Sequence, residues 1–484
     1  MERNENTEET INMGAPDPRT EKMSDTVWDE RRMARQARRK KNQMIAYSVL
    51  GGAFILFLIL LISVVHLATS KKNSNDSKKI EATNSQIVQE QAVSGETKQE
   101  NPTSEDSAEN LTTEGENISE ENDSSEIVEE ASNPYEDERL NQKVDEMIEK
   151  MSLEDKVAGL FIVQPEALTN VATVIRAGDN TKNAINQYPV GGIIYFGKNI
   201  QSFNQLQEMI DNTKSFSRYP LFVAVDEEGG SVERVADAGL AAKSLSAAEV
   251  AEGGDPEYAR QVGVTIGSYL NELGFNLDFA PVADLSNVQN SIMRDRTYGD
   301  KSDKVIPYVL GMMNGLESQN VTACLKHFPG CGSITDDTHS GVAMSERTKD
   351  EFYAEELNVF REGIANGANM IMVGHMSAPY LTLDSIPCSL SDVIITNILR
   401  EELGYDGVVI TDAMNMASIT KNYSADEAAV IAIEAGCDMI LMPDNFYQAY
   451  EGVLKAVQEG ELTEERIDES LRRIYRIKLS DGFQ

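Results

Sequence analysis

Short hydrophobic runs recur along residues 135–484 of this chain, and stretches with helical periodicity separate most of them. Eight runs are candidate β-strands: 159–163, 191–196, 221–225, 277–283, 322–327, 370–375, 407–411 and 438–442. Helical segments lie between them, for example at 255–273 and 348–366, and a further one at 139–151 precedes the first run. This alternation predicts a parallel sheet covered by helices.

The number of strand–helix units decides between two fold classes. Eight consecutive units favour an α/β protein built as a single (β/α)8 TIM-type barrel over residues 135–484. A doubly wound open sheet is the alternative, but no GxGxxG motif follows the first predicted strand. In a barrel, the functional side chains should collect where the strands end.

A longer apolar stretch, residues 44–69, precedes this region. At 1.5 Å per residue, the roughly 22 residues of its apolar core reach about 33 Å, enough to cross a bilayer. A basic cluster ends the polar tail 1–43, which should therefore remain in the cytoplasm. We expect a single-pass cell-membrane protein whose main domain lies outside the cytoplasm. A cleaved signal peptide is the alternative, and Ala68-Thr69-Ser70 resembles its cleavage site only weakly.

Residues 70–134 have the composition of a disordered acidic linker, rich in Glu, Ser, Asn, Thr and Gln. We expect this segment to act as a spacer between the membrane and the main domain. The whole chain has a formal net charge of −37, which argues against nucleic-acid binding. Its four cysteines have no CxxC spacing, so we expect neither a metal site nor a disulfide framework.

Polar side chains follow six of the eight predicted strands, as the barrel requires. They are Asp226, Asp284, Lys326 with His327, His375, Asp412 and Asp444. Asp and Gly after a strand commonly form turns, but a lysine inside an apolar run must either pair or face a wet cavity. The pattern therefore predicts a polar site at one end of the barrel.

The segment KHFPGCGSITDDTH, residues 326–339, carries the clearest sign of chemistry. Its Gly-rich loop ends in an Asp-x-His pair, Asp337 and His339, and Asp412 follows a later strand. A loop histidine oriented by an aspartate and facing a carboxylate is what a two-step displacement at a sugar carbon requires. Asp336 is a second candidate for the orienting aspartate, but its spacing to His339 is less suitable.

Six motifs in order resemble glycoside hydrolase family 3, specifically the bacterial β-N-acetylhexosaminidases of the NagZ type. They are VAVDEEGGSVERV, FAPVADL, DRTYG, KHFPGCGSITDDTH, LGYDGVVITDAMNM and AGCDMILMP, and the resemblance covers roughly residues 140–480. It implies that Asp412 is the nucleophile, that His339 is the general acid/base and that Asp337 orients His339. The sugar-binding positions implied by the resemblance are Asp226, Arg234, Arg296, Lys326 and His327. Arg294 is a close neighbour of Arg296, and the DRTYG motif favours Arg296.

The resemblance implies a retaining exo-β-N-acetylglucosaminidase that acts on peptidoglycan-derived glycans, works as a monomer and needs no cofactor. Asp284 and His375 should line its pocket, without assigned roles. One departure is Cys331, which stands in a GCG where relatives often carry GHG. We do not interpret Cys331 as a nucleophile, because the sequence shows no basic partner for it.

Three other functions remain open. A β-glucosidase or xylosidase of the same family usually takes its acid/base from an additional C-terminal domain, and this chain ends after the eighth unit. A phosphorolytic glycosidase is possible because a neutral histidine would let phosphate approach, where a carboxylate would repel it. A non-catalytic wall-glycan-binding protein would bind sugars without turnover, and the presence of Asp412, Asp337 and His339 together argues against it.

Overall fold

The computed structural model describes residues 134–335 and 341–483. Its strands are β1 Phe161–Val163, β2 Gly192–Ile194, β3 Phe222–Val225, β4 Glu227–Gly229, β5 Val232–Glu233, β6 Leu277–Asp278, β7 Thr322–Phe328, β8 Met370–Val373, β9 Val408–Thr411 and β10 Ile440–Leu441. Eight of them form one parallel sheet in the order β10-β1-β2-β3-β6-β7-β8-β9, and β4 pairs with β5 in a separate hairpin. A parallel bridge between Ile410 and Met439 joins the two ends of the sheet. The predicted α/β barrel is confirmed.

Helices follow most of the strands and cover the barrel. They are α1 Pro134–Ile148, α2 Leu153–Ala158, α3 Pro165–Thr169, α4 Asp179–Gln187, α5 Phe203–Phe216, α6 Arg234–Asp237, α7 Ala247–Glu252, α8 Pro256–Leu273, α9 Ser302–Glu317, α10 Lys349–Ala354, α11 Glu356–Ala365, α12 Pro379–Thr382, the π-helix Val393–Glu402, α13 Ala417–Thr420, α14 Ala425–Ala435, α15 Phe446–Gln458 and α16 Glu464–Lys478. Capping boxes begin α5, α7 and α10, where a Ser or Thr at the N-cap exchanges hydrogen bonds with a Gln or Glu three residues later.

Several predicted elements differ from the structure in their bounds, and two of these differences have consequences for the site and its supports. The predicted strand 277–283 is shorter and ends at Asp278, although Val282 still pairs with Lys326 in an isolated parallel bridge. The predicted helix 348–366 is divided into α10 and α11 at Glu355. The Glu355 carboxylate accepts hydrogen bonds from the Ser302 backbone N–H at 3.0 Å and from Lys301 Nζ at 2.8 Å. It therefore caps the first turn of α9, where an acidic group is favoured.

In residues 134–335 and 341–483, no helix combines the length and the apolar character needed to cross a bilayer. This finding corrects the predicted localisation as a single-pass cell-membrane protein, which we do not retain. The predicted span 44–69, the tail 1–43 and all but the last residue of the linker 70–134 lie outside the described residues.

Candidate functional site

The candidate site lies at the carboxyl ends of the barrel strands. Asp226 directly follows β3, Lys326 and His327 lie near the end of β7, and Asp412 directly follows β9. Because all eight strands are parallel, these positions meet at one end of the barrel. The ends of β3 and β7 are linked directly by a hydrogen bond from Lys326 to Asp226.

Lys326 is held between two carboxylates. Its Nζ lies 2.9 Å from Asp226 Oδ1 and 2.6 Å from Glu228 Oε1, and its side chain is only 3% exposed. Burial by itself would lower the pKa of Lys326, but the two carboxylates raise it above its ordinary value. The lysine therefore stays charged, and it can donate to a ligand as well as to its two partners.

Glu228 also forms a bidentate ion pair with Arg296. Arg296 donates from Nε to Oε2 and from one NH2 to Oε1, both at 2.7 Å. Burial would raise the pKa of Glu228, but the charges of Lys326 and Arg296 hold it far below its ordinary value. The predicted residue Arg296 therefore reaches the site, whereas Arg294 has a side chain 70% exposed beside Asp295.

His327 is oriented by Asp284. The ring Nδ1 lies 2.7 Å from Asp284 Oδ2, and Asp284 Oδ1 accepts hydrogen bonds from the backbone N–H groups of Cys331 at 2.6 Å and His327 at 3.3 Å. A carboxylate partner favours a proton on Nδ1. The second ring nitrogen, Nε2, is then the one available to a ligand. Asp284, to which the sequence assigned no role, thus fixes both the ring and the start of the following loop.

Asp412 is half-buried and follows β9. Its Oδ1 accepts the Ala413 N–H at 2.7 Å. Burial would raise the pKa of Asp412, but the imidazoles of His327 and His375, the Ala413 N–H and the charge of Lys326 together lower it. The carboxylate is therefore ionised at neutral pH.

His375 supports the loop that carries Asp412. Its Nε2 lies 3.0 Å from the Ala413 carbonyl, and its Nδ1 lies 2.7 Å from Ser389 Oγ. A carbonyl can only accept, so Nε2 carries the proton and Nδ1 accepts from the hydroxyl. Burial lowers the pKa of His375, which favours this neutral form.

Arg234 occupies the first position of α6, and its guanidinium lies 5.7 Å from the centre of the Phe196 ring. Its Nε is buried and has no hydrogen-bond partner among the described residues. The start of α6 is held by Glu227, whose two carboxylate oxygens accept the N–H groups of Val235 at 2.8 Å and Ala236 at 2.9 Å. The guanidinium is therefore placed by a capped helix and keeps donors for a ligand.

Cys331 has a buried thiol whose pKa is raised well above its ordinary value by burial, which makes a thiolate nucleophile unfavourable. The sequence predicted no metal site. In the described part of the chain, Asp284, His327 and Cys331 could hold a metal ion, since each places one ligand atom within 4.8 Å of the others. Asp284 is already engaged by the His327 ring and by the Cys331 backbone N–H.

Two predicted catalytic residues, Asp337 and His339, belong to residues 336–340 and lie outside the described residues. Their roles therefore stay predictions. Asp444, which follows β10, is exposed at the surface.

Glu228 was not among the residues predicted from the sequence. The spacing of Asp226 and Glu228 could have indicated it. Side chains alternate along an extended segment, so these two residues share one face. Glu227 lies on the other face, where it accepts a hydrogen bond from Tyr269 at 2.8 Å in addition to capping α6. The sequence DEEGG shows the alternation but not which face meets Lys326.

Comparison with known proteins places these groups in context. The family profile described as Glycosyl hydrolase family 3 N terminal domain matches residues 152–477. Beta-hexosaminidase A of Pseudoalteromonas piscicida is 32% identical over 324 residues, which cover 61% of this chain and 54% of that protein. Beta-hexosaminidase of Nitrosomonas eutropha is 33% identical over 257 residues, which cover 52% of this chain and 73% of that protein.

One similar solved structure is a glycoside hydrolase family 3 beta-N-acetylglucosaminidase from Paenibacillus sp. str. FPU-7. It is 33% identical with a TM-score of 0.64, and the match covers 68% of this chain and 62% of that chain. This chain thus spans about half the length of the Pseudoalteromonas relative and less than two thirds of the Paenibacillus chain.

Proposed function

Because this chain belongs to glycosyl hydrolase family 3, a family of enzymes that act on O-glycosyl bonds, we propose that it is a retaining exo-β-N-acetylglucosaminidase. Its proposed substrates are peptidoglycan-derived glycans with a terminal N-acetylhexosamine. The similarity to β-hexosaminidases at 32% and 33% identity supports the type of sugar. The alternative of a wall-glycan-binding protein without activity explains less, since it does not require an ionised carboxylate at the end of β9.

One observation carries the proposal: Asp412 is a half-buried, ionised carboxylate at the same end of the barrel as Asp226, Lys326 and His327. Burial of a charge is costly unless nearby groups compensate for it, and here the His327 imidazole, the Ala413 N–H and Lys326 do so. A carboxylate kept charged in this way can attack an anomeric carbon. The surrounding donors and acceptors can bind the sugar hydroxyls.

The proposed reaction has two steps. Asp412 attacks the anomeric carbon and forms a covalent glycosyl-enzyme, while His339 donates a proton to the departing oxygen. In the second step His339 takes a proton from water, which attacks the same carbon and releases the sugar with net retention. Asp337 would orient the imidazole and stabilise its charged form. An imidazole suits both roles because its ordinary pKa, about 6.5, lies near neutrality.

The binding groups have complementary roles in this proposal. Asp226 accepts hydrogen bonds from sugar hydroxyls, and Lys326 donates to others. His327, held by Asp284, presents Nε2 to the sugar. Arg234 pairs with no carboxylate among the described residues, so it can bind an acidic substituent of a peptidoglycan fragment.

The proposal is tested by hydrolysis of a panel of aryl glycosides with the wild type and Asp412→Asn. Loss of the nucleophile should lower kcat by about 10³-fold or more on the N-acetylglucosaminide. NMR of the first-formed anomer should show retention. Asp444→Asn is the matched control, since Asp444 also follows a barrel strand but is exposed.

Two results would contradict the proposal. Full activity in Asp412→Asn would overturn the mechanism. Poor turnover of the N-acetylglucosaminide together with rapid turnover of the glucoside would overturn the specificity. Hydrolysis of a disaccharide of N-acetylglucosamine and N-acetylmuramic acid, compared with chitobiose, tests the peptidoglycan assignment separately.

A further inference from the structure

We propose that Glu228 is a positioning residue that holds Lys326 and Arg296 in place and thereby leaves Asp226 able to bind the substrate. This inference rests on the function proposed above. It concerns how the sugar-binding groups are held, and Glu228 itself does not touch the sugar.

Glu228 has both carboxylate oxygens occupied by cations. Oε1 lies 2.6 Å from Lys326 Nζ and accepts from Arg296 NH2 at 2.7 Å, while Oε2 accepts from Arg296 Nε at 2.7 Å. Lys326 belongs to β7, and Arg296 ends the short helical turn Arg294–Arg296. One buried carboxylate, 5% exposed, thus joins two separate parts of the chain at this end of the barrel.

Lys326, Arg296, Asp226 and Glu228 form one charged cluster, and Asp226 is its more exposed carboxylate. Its side chain is 19% exposed, and the hydrogen bond it accepts from the described residues is that of Lys326 Nζ to Oδ1 at 2.9 Å. A carboxylate can accept several hydrogen bonds, so Asp226 retains capacity for hydroxyl donors. The two carboxylates have different tasks: Glu228 neutralises and fixes the cations, and Asp226 meets the ligand.

The charges of this cluster balance. Lys326 and Arg296 supply two positive charges, and Asp226 and Glu228 supply two negative charges. Removal of one partner from a buried ion pair leaves an uncompensated charge in a poorly solvated place. Without the charge of Glu228, both cations would turn to Asp226, whose oxygens would then be taken by the protein.

The backbone around Glu228 is anchored from the opposite face. The Glu227 N–H donates to Asp278 Oδ1 at 2.9 Å, and the Glu227 carboxylate caps α6. Since neighbouring side chains alternate in an extended segment, the anchoring of Glu227 directs Asp226 and Glu228 to the side where both contact Lys326. The position of Glu228 is therefore built into the hairpin β4–β5.

The test compares Glu228→Gln and Glu228→Asp with the matched control Glu233→Gln. Glu233 is buried in the same hairpin, and its carboxylate accepts the Ser244 N–H at 2.7 Å. On the aryl N-acetylglucosaminide, Glu228→Gln should raise KM about tenfold or more, with a smaller change in kcat, because groups that bind non-reacting hydroxyls are disturbed. Glu228→Asp keeps the charge and should recover part of the loss. The control should keep the KM of the wild type.

A double variant separates positioning from a general structural role. If Glu228 acts through Lys326, the effects of Glu228→Gln and Lys326→Gln on kcat/KM should be strongly non-additive. Additive effects would overturn the proposal, as would a folded Glu228→Gln enzyme with KM within twofold of the wild type. If Glu228→Gln does not fold, the KM of Glu228→Asp is compared with that of the wild type instead. An unchanged KM in Glu228→Asp then overturns the proposal.

The proposed function and the role of Glu228 can each be wrong while the other is right. If the wild type prefers another aryl glycoside, the assignment to N-acetylglucosaminides is wrong, and the ratio of variant to wild type is measured on the preferred substrate. If Glu228→Gln behaves as the wild type on a rapidly cleaved N-acetylglucosaminide, only the role of Glu228 is wrong.

Discussion

At the scale of single residues, the site depends on groups that act through their neighbours. Asp284 touches His327 and the loop that begins at Cys331, and Glu228 touches Lys326 and Arg296. None of these contacts connects residues that are close in sequence. The sequence therefore indicates which ionisable groups lie at the strand ends. The contacts between those groups in the folded protein decide their protonation.

The pairing of Asp284 with His327 can be tested by Asp284→Asn. One amide oxygen cannot replace two carboxylate oxygens, so a backbone N–H or the His327 ring loses its acceptor. We expect kcat/KM on the preferred aryl glycoside to fall about tenfold or more. Asp295→Asn changes an exposed aspartate nearby and should leave kcat/KM unchanged. Equal values for Asp284→Asn and the wild type would show that the ring needs no carboxylate.

At the scale of elements, close packing of two helices supports the strands that carry the site. Helices α8 and α9 precede β6 and β7, and they meet at Gly263 and Gly315. A Cβ atom on Gly315 would lie 2.4 Å from the Arg260 carbonyl oxygen and 2.8 Å from Gly263 Cα. The two backbones are thus too close for any side chain at this crossing.

This packing predicts that Gly315→Ala destabilises the protein, although alanine is the better helix former. Overpacking costs about 1–3 kcal/mol, against a propensity gain of about 1 kcal/mol. Urea unfolding should therefore show a lower free energy of unfolding. Asn314→Ala, at an exposed position of the same helix, is the control and should be neutral or slightly stabilising. A more stable Gly315→Ala protein would mean that the helices can separate freely.

At the scale of the whole molecule, charge and burial make stability depend on pH. Glu317 ends α9 at the end of the barrel opposite the site, where Asn369 Nδ2 donates to it at 3.0 Å. Burial raises the pKa of Glu317 to about 7, above its ordinary value of 4.5. The folded state then binds this proton more tightly than the unfolded state, so stability is lost as the pH rises through about 7.

Glu317→Gln should remove this dependence. At pH 8 we expect the variant to have a Tm about 2–5 °C above that of the wild type, and at pH 5 the two should be nearly equal. Glu362→Gln, at an exposed position, should show no difference at either pH. An equal gain at pH 5 and pH 8 would mean that the effect does not come from the ionisation of Glu317.

The overall fold was largely predictable from the sequence, because burial imposes a local pattern on each element. All residues of β3 and of β9 are buried, and such strands appear as short continuous apolar runs. The break between α10 and α11 was not predictable, since it arises where Glu355 reaches back to cap α9. That contact joins residues more than fifty positions apart.

The sequence by itself determined the number and order of the eight barrel strands and the end of the barrel at which polar groups collect. These features follow from periodicity and from residue types at strand ends, which are local properties. The family resemblance of the motifs, also carried by the sequence, named Asp412 as the candidate nucleophile. Only the tertiary structure decided that Glu228 holds Lys326 and Arg296 and that Asp284 orients His327. The reason is physical: the charge state of a buried group depends on neighbours within a few ångströms, and folding brings those neighbours from distant parts of the chain.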